Sequence, residues 1–234
     1  MTTKTIVAMQ TSDPEELGTR VTDGWRALVR GAAAEIRPLH SEVCVVGDDG
    51  ARPAYQCILL AHFADDATAS RWREDLARSA PDPWGTMGIQ PLLEAEPTVL
   101  WVDVRDGRGR DWLDARCVPR ARPFFTTFEF LRRRGDIDRG EFARLWWEHK
   151  GVADRVLAGR ERAPAYVQNL IDDLVGPEVW DGVAEVSRDD APWGRPSEWF
   201  DQGPGAEIAA HEALFLERSA SRFVRTERRR VDDA

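Results

Sequence analysis

The chain has 234 residues, 42% of them hydrophobic and 31% charged, as is ordinary for a globular protein with one large domain or two of about 110 residues. Its 41 acidic residues outnumber its 32 basic ones, which gives a formal net charge of −9. This balance excludes a global basic field of the kind that attracts nucleic acid or an anionic membrane surface.

The first half of the chain reads as strand, helix, strand, strand, helix, strand. A strand is predicted over 4–9, and the next helix, over 14–30, begins at Asp13, which can cap it, with Pro14 in its first turn. Alternating and apolar runs predict further strands over 35–46, 54–63 and 98–104, with a second helix over 66–79.

The second half repeats this order. Strands are predicted over 122–132, 165–173, 181–187 and 219–228, with a long helix over 137–159 ended by Gly159 and a helical region between 197 and 217. The stretch 112–123 is interpreted as a connector, so that the chain divides into units of residues 1–111 and 124–234.

A βαββαβ unit of this length is typical of the ferredoxin-like fold, an antiparallel sheet with both helices on one face. The bare face of such a sheet needs a partner if it is apolar. We therefore expect an α+β protein in which two ferredoxin-like units in tandem pack their open sheets together. The product is a pseudo-dimeric α/β barrel of eight strands, whose interior can hold one small ligand.

Cysteine usage and the lack of long apolar runs predict where the protein works. Cys44, Cys57 and Cys117 have no C-x-x-C spacing, which favours a reducing compartment over a structural zinc site. No segment has the length and apolar character of a signal peptide or of a membrane span. A cytoplasmic protein with no membrane and no nucleic-acid partner is expected.

Four stretches of the second half, in order and spacing, resemble the EthD family of dimeric α/β-barrel proteins. They are FLRRRGDIDRGEFARLWWEHKG from 130, YVQN at 166–169, DGVAEV at 181–186 and HEALFLERSASRFV at 211–224. The resemblance implies that the first half is a diverged duplicate, so that this chain carries its own dimer partner; further self-association is left open. It also implies a small-molecule substrate. Relatives on this barrel include cyclases, dehydratases, lactone isomerases, cofactor-free oxygenases and haem-handling proteins.

The long helix places His149 near the centre of its apolar stripe. Three interpretations remain: a hydrogen-bonded core residue, a catalytic residue, and a haem or metal ligand. The last lacks a second ligand at metal-binding spacing. Neither metal nor tightly bound cofactor is predicted, with haem kept as the alternative.

Lys150 competes with His149 for the functional position on this helix. EthD-like helices typically read F-x-x-x-W-x-x-x-H, and counting from Phe142 and Trp146 places the family histidine at Lys150. Either the helix end adjusts to bring His149 into place, or Lys150 has replaced it as a base whose pKa desolvation lowers.

Alternation along YVQN places Tyr166 and Gln168 on one face of a strand, with Asn169 on the other. Because the face covered by helices should be the more apolar one, Tyr166 and Gln168 are expected in the barrel interior. There they would orient a substrate, with Asn169 and Trp146 as further candidates for substrate binding.

Glu129 and Glu185 are the candidate acid–base carboxylates, provided that both point inward, where burial would raise their pKa values. His211 is a further catalytic candidate because it precedes the closing strand and is expected near a barrel mouth.

Together with these residues, the resemblance implies a cofactor-independent enzyme of the lyase, cyclase or dehydratase type that acts on a metabolite in the barrel. The alternatives are an oxidoreductase, either a cofactor-free oxygenase or an accessory component of one, and a non-catalytic module that binds a metabolite.

Overall fold

The computed structural model describes residues 2–46, 54–80, 82–105, 124–157, 165–177, 179–188 and 204–231. The first half contains β1 (Thr2–Met9), α1 (Pro14–Gly31), β2 (His40–Val46), β3 (Cys57–His62), α2 (Asp66–Ser79), α3 (Pro83–Thr86) and β4 (Thr98–Arg105). The second contains β5 (Phe124–Leu131), α4 (Arg139–Leu157), β6 (Ala165–Val175), β7 (Gly182–Arg188), α5 (Pro204–Glu212) and β8 (Arg222–Arg230). The predicted connector, both unit boundaries and Cys117 lie outside the described residues.

Local signals set several of these boundaries. The Asp13 side chain accepts a hydrogen bond from the backbone N–H of Glu16 and caps α1, and Asp65 caps α2 in the same way. The strand predicted over 35–46 begins only at His40. Residues Ala34–Ile36 form a 3-10 turn instead, and Pro38 has no N–H to donate to a ladder.

The eight described strands close into an antiparallel barrel in the order β1-β3-β2-β8-β5-β7-β6-β4. The order β4-β1-β3-β2 of the first half recurs as β8-β5-β7-β6 in the second. The halves join twice, where β2 pairs with β8 and where β4 pairs with β6. The prediction of two ferredoxin-like units that turn their open sheets toward one another is therefore confirmed.

Apolar side chains form layers on the outer face of the sheet and one apolar core inside the barrel. On the outer face of the first half, Trp25 of α1 and Trp72 of α2 pack against the sheet. The apolar core inside the barrel includes Ile6, Leu60 and Phe128, and its members come from both halves. At its end, Trp180 Nε1 donates to the Tyr55 hydroxyl at 2.9 Å, which ties the halves together.

No helix in the described ranges is both long enough and apolar enough to cross a membrane.

Candidate active site

Strand β6 presents the opposite faces to those predicted. Tyr166 and Gln168 lie under α4: the indole N–H of Trp146 donates to the Tyr166 hydroxyl at 3.1 Å, and the Gln168 amide donates to the Trp146 backbone carbonyl. Asn169 instead points into the barrel, where it donates to Glu185 at 2.9 Å. The predicted interior position of Tyr166 and Gln168 is wrong. Asn169 faces the interior instead, because the buried Glu185 carboxylate of the neighbouring strand β7 is its hydrogen-bond partner there.

The two candidate carboxylates lie on opposite sides of the sheet. Glu185 points inward and is fully buried. Glu129 points outward, because its neighbours Phe128 and Phe130 occupy the interior and side chains alternate along a strand. The expectation that both carboxylates share the interior is therefore wrong for Glu129.

His149 lies in the helix layer and is only 3% exposed. Its Nδ1 is 3.3 Å from Nδ1 of His211, which the last turn of α5 brings beside it. Its Nε2 is 3.8 Å from a carboxylate oxygen of Glu212. The ring packs edge-on against Phe215. The sequence singled out both histidines, but their contact joins positions 62 residues apart and was not predicted.

Lys150 lies apart from these histidines. Its ammonium pairs with Asp154 one turn further along α4, at 2.6 Å. Of these two residues, it is His149 that contacts His211 and Glu212.

Glu212 and Glu129 form a coupled pair of carboxyls on the outer face. Burial raises the pKa of Glu129 to about 8, and the negative charge of Glu212 adds to this shift. Burial also raises the pKa of Glu212 to about 7, while Arg218, which contacts it at 2.9 Å, acts in the opposite direction. Near neutral pH Glu129 therefore keeps its proton, and Glu212, which has the lower pKa, is the first of the two to ionise. Glu212 was missed, although it directly follows His211 in the sequence.

His149 and Tyr166 are neutral at physiological pH. Burial lowers the pKa of His149 to about 4, and His211 adds to the shift. Burial also raises the pKa of Tyr166 above its usual range, so the phenol keeps its proton. We assign to His149 the tautomer that carries its proton on Nε2, beside Glu212, so that Nδ1 accepts a hydrogen bond from His211. We call Glu129, His149, Tyr166, His211 and Glu212 the outer site.

Within the described part of the chain, the members of the outer site differ in exposure. Glu129, Tyr166 and His211 are partly exposed, whereas His149 and Glu212 are buried behind them. Its floor is the outer face of β5, β7 and β6, and its roof is formed by α4, α5 and the turn that follows α5. Carboxyls with pKa values near neutrality, beside neutral hydrogen-bond donors, are suited to general acid–base chemistry.

A second group of polar residues fills one end of the barrel interior. Lys4 and Arg228 both bind the Glu185 carboxylate, and Arg228 also binds Glu42. Burial would raise the pKa of Glu42, but Arg228 and a hydrogen bond to His40 hold it well below its usual range. We call Lys4, His40, Glu42, His62, Asn169, Glu185 and Arg228 the interior cluster.

Of the candidate site residues given above, Glu185 and Asn169 belong to the interior cluster. Alternation offered a signal for its other members, because Lys4 shares a strand face with Ile6, and His62 shares one with Leu60. Among the described residues, no group of three or more His, Cys, Asp or Glu side chains is arranged to hold a metal ion.

The closed barrel with helices outside is the dimeric α/β-barrel fold, here formed within one chain. Solved structures with this fold cover nearly the whole chain. One is named as anthrone oxidase-like, with a TM-score of 0.58 and 10% identity over 99% of this chain and 94% of that one. Another is named as a monooxygenase from Fusobacterium nucleatum subsp. nucleatum, with a TM-score of 0.56 and 8% identity over 99% and 93%.

A third solved structure, named as a chlorite dismutase, has a TM-score of 0.53 and 9% identity over 99% of this chain and 96% of that one. No protein-family model and no curated protein matches the sequence. At these identities the likeness concerns the fold alone.

Proposed function

We propose that the protein is a cofactor-independent enzyme that removes a proton from a carbon acidified by a carbonyl group, either next to it or conjugated with it, in a small, largely apolar metabolite. The observation that carries this proposal is the outer site, where the buried carboxyl of Glu212 contacts His149 and where burial raises the pKa values of both Glu212 and Glu129. The substrate would bind between the sheet and α4 and α5, rather than inside the barrel.

Each residue of the outer site has a part in this step. Glu212 accepts the C–H proton, and the electron pair of that bond moves onto the carbonyl oxygen to give an enolate. The Tyr166 hydroxyl and the protonated carboxyl of Glu129 donate hydrogen bonds to the enolate oxygen. His149 positions Glu212 through its Nε2–H, and His211 holds the tautomer of His149. Lys150 has no part in the step.

The fate of the enolate decides the reaction class. Loss of a leaving group from the neighbouring carbon gives a lyase or dehydratase, and attack on a second carbonyl gives a cyclase. Transfer of an electron to dioxygen gives a cofactor-free oxygenase. The similarity to a protein named as anthrone oxidase-like favours this last class as the second candidate.

The family relationship belongs to the same proposal. We infer that residues 124–234 form an EthD-like unit and residues 1–111 a diverged copy of it. The four stretches that resemble the EthD family fall on α4, β6, β7 and the segment from α5 to β8, the elements that build the outer site.

The haem alternative fits the residues less well. Nδ1 of His149 is directed at His211 and Nε2 at Glu212, so either nitrogen would have to give up its contact before it could hold haem iron.

Two assays with anthrone as the probe test the proposed function. Without oxygen, in D₂O, proton removal exchanges the hydrogens at the carbon opposite the carbonyl, which NMR detects. In air, anthrone and one O₂ give anthraquinone and one water, followed by an oxygen electrode and by absorbance. Exchange without oxidation supports the lyase-type classes, and oxidation supports the oxygenase.

Variants assign the activity to the outer site. We expect Glu212→Gln to lower the exchange rate by about 10²–10⁴-fold, the usual contribution of a general base. Lys150→Ala should leave the rate unchanged. If anthrone and a panel of 1,3-diketones show no exchange, or if Glu212→Gln exchanges as fast as the wild type, a non-catalytic metabolite-binding module is the better description.

A further inference from the structure

The interior cluster lies apart from the outer site, on the opposite face of the sheet. It is balanced in charge: two cations, Lys4 and Arg228, face two carboxylates, Glu42 and Glu185. Burial, followed by the nearby ammonium of Lys4, lowers the pKa of His62 well below its usual range, so this ring is neutral. A barrel that needed only a filled core would carry apolar side chains here, as it does at the other end.

His62 and Asn169, two members of this cluster, have hydrogen-bonding atoms that find no partner among the described residues. Neither ring nitrogen of His62 has a hydrogen-bond partner among the described residues, and its closest charged neighbour, Glu42, lies 4.0 Å from Nε2. The carbonyl oxygen of the Asn169 side chain is likewise unpartnered within the described ranges, whereas its amide nitrogen donates to Glu185 and to Val183.

Both groups point into the same part of the barrel. His62 is 3% exposed and lies opposite Lys4 in the pairing of β1 with β3. Asn169 is fully buried and donates to the Glu185 oxygen that Lys4 also binds. The Lys4–Glu185 ion pair thus links the two groups, one from each half of the chain.

Leaving buried donors and acceptors without partners is costly, so their presence points to a ligand that satisfies them. We propose that the polar end of the barrel is a second binding site, for a small uncharged molecule that carries both a hydrogen-bond donor and an acceptor. The Asn169 carbonyl accepts from the donor of this ligand, and the neutral His62 ring offers it one N–H and one acceptor nitrogen.

The charge balance selects an uncharged ligand. An ion would add an uncompensated charge to a buried set of two cations and two anions. The ligand is also small, because fully buried side chains such as Phe128, Phe130 and Tyr55 occupy the adjoining apolar end.

NMR of the whole protein labelled with ¹⁵N tests this site with acetamide as the probe and acetate as its isosteric anion. Acetamide should give saturable shift changes at the Asn169 side-chain amide and the His62 ring nitrogens. Acetate should bind about tenfold more weakly or not at all, since it lacks a donor and carries charge.

Variants assign the binding to these residues. His62→Gln and Asn169→Leu should each weaken acetamide binding by about tenfold. Thr226→Val is the matched interior control: its hydroxyl already donates to the Thr126 carbonyl at 3.2 Å, so its loss should leave the affinity within about twofold.

Two results would overturn the assignment. One is equal binding of acetate and acetamide, or binding that the His62 and Asn169 variants leave unchanged. The other is the absence of probe shifts together with slowly exchanging water signals at both groups, which would identify structural water alone. Neither result depends on anthrone turnover, so the proposed function and the second site stand or fall separately.

Discussion

Lys4 on β1 and Glu185 on β7 form an ion pair inside the barrel, although 181 positions separate them in the sequence. Their side chains are 1% and 0% exposed. Since β1 belongs to the first half and β7 to the second, this pair joins the two halves through the interior. Arg228 and Glu42 make a second such link, in which the second half supplies the cation.

Replacing Lys4 with Met tests the Lys4–Glu185 link. The change leaves Glu185 buried without its ammonium partner, which should lower the free energy of unfolding by about 3 kcal/mol. The loss stays at the lower end of the usual range because Arg228 still contacts Glu185. Urea denaturation at neutral pH measures the effect.

The other lysine of the chain provides the control. Lys150 pairs with exposed Asp154 within α4, so Lys150→Met should cost at most about 0.5 kcal/mol. The double variant Lys4→Met, Glu185→Gln should recover part of the lost stability, since it removes the stranded carboxylate. Equal losses for Lys4→Met and Lys150→Met would contradict a structural role for the interior pair.

The order of elements and the closed barrel were predictable because they depend on local periodicity and on the repeat. The helix predicted over 14–30 is Pro14–Gly31, and the closing strand predicted over 219–228 is Arg222–Arg230. These elements carry their own signals in caps and alternation, and two copies of one topology leave few ways to pair their sheets.

The direction of polar side chains was not predictable, because their partners are distant in the sequence. Asn169 faces inward since Glu185 and Lys4 make the interior polar, and no pattern near 169 encodes either partner. His149 meets His211 and Glu212 only once α4 and α5 are packed on the sheet. Alternation gives two faces, and long-range contacts decide which one is inside.

Gly182 allows Trp146 to reach the sheet. A Cβ at position 182 would lie 2.3 Å from the Trp146 ring, so Gly182→Ala must displace the indole from the roof of the outer site. We expect a loss of about 1–3 kcal/mol in the free energy of unfolding, as for other overpacked cores. Tryptophan fluorescence, recorded together with urea denaturation, should report the moved ring.

A matched glycine in α4 should respond in the opposite direction. A Cβ at Gly151 would meet nothing within 4 Å, so Gly151→Ala should stabilise the protein by up to about 1 kcal/mol through helix propensity. If both alanine variants were equally stable, the close approach of Trp146 to Gly182 would be wrong.

The Glu129 carboxyl should make stability fall as the pH rises. Its pKa rises from an ordinary 4.5 to about 8 in the folded protein, so the folded state binds more protons than the unfolded state between these values. Glu129→Gln removes the penalty for ionisation and should stabilise the protein at pH ~8.5 by about 1–2 kcal/mol, a figure reduced for partial exposure.

The difference between wild type and Glu129→Gln should shrink toward zero as the pH falls below ~4, where Glu129 is protonated in both the folded and the unfolded wild-type protein. Glu74→Gln, at an exposed position on α2, is the control and should show little change across the range. A Glu129→Gln variant that is less stable than the wild type at high pH would mean that the ionised carboxylate is stabilised in place.

The His149 imidazole should titrate near pH 4 and act in the opposite direction to Glu129. Because its pKa falls from an ordinary 6.5 to about 4 on folding, the unfolded state binds more protons between these values, and stability falls as the pH drops through that window. Comparing wild type with His149→Gln isolates this component, which should amount to about 1–2 kcal/mol between pH ~7 and pH ~5.

¹⁵N NMR of the His149 ring should show a neutral tautomer down to pH ~5, protonated at Nε2. A ring that is already cationic at pH ~6 would have no acceptor nitrogen for His211, which contradicts the proposed arrangement, and His149 would then have to be assigned as the proton carrier itself.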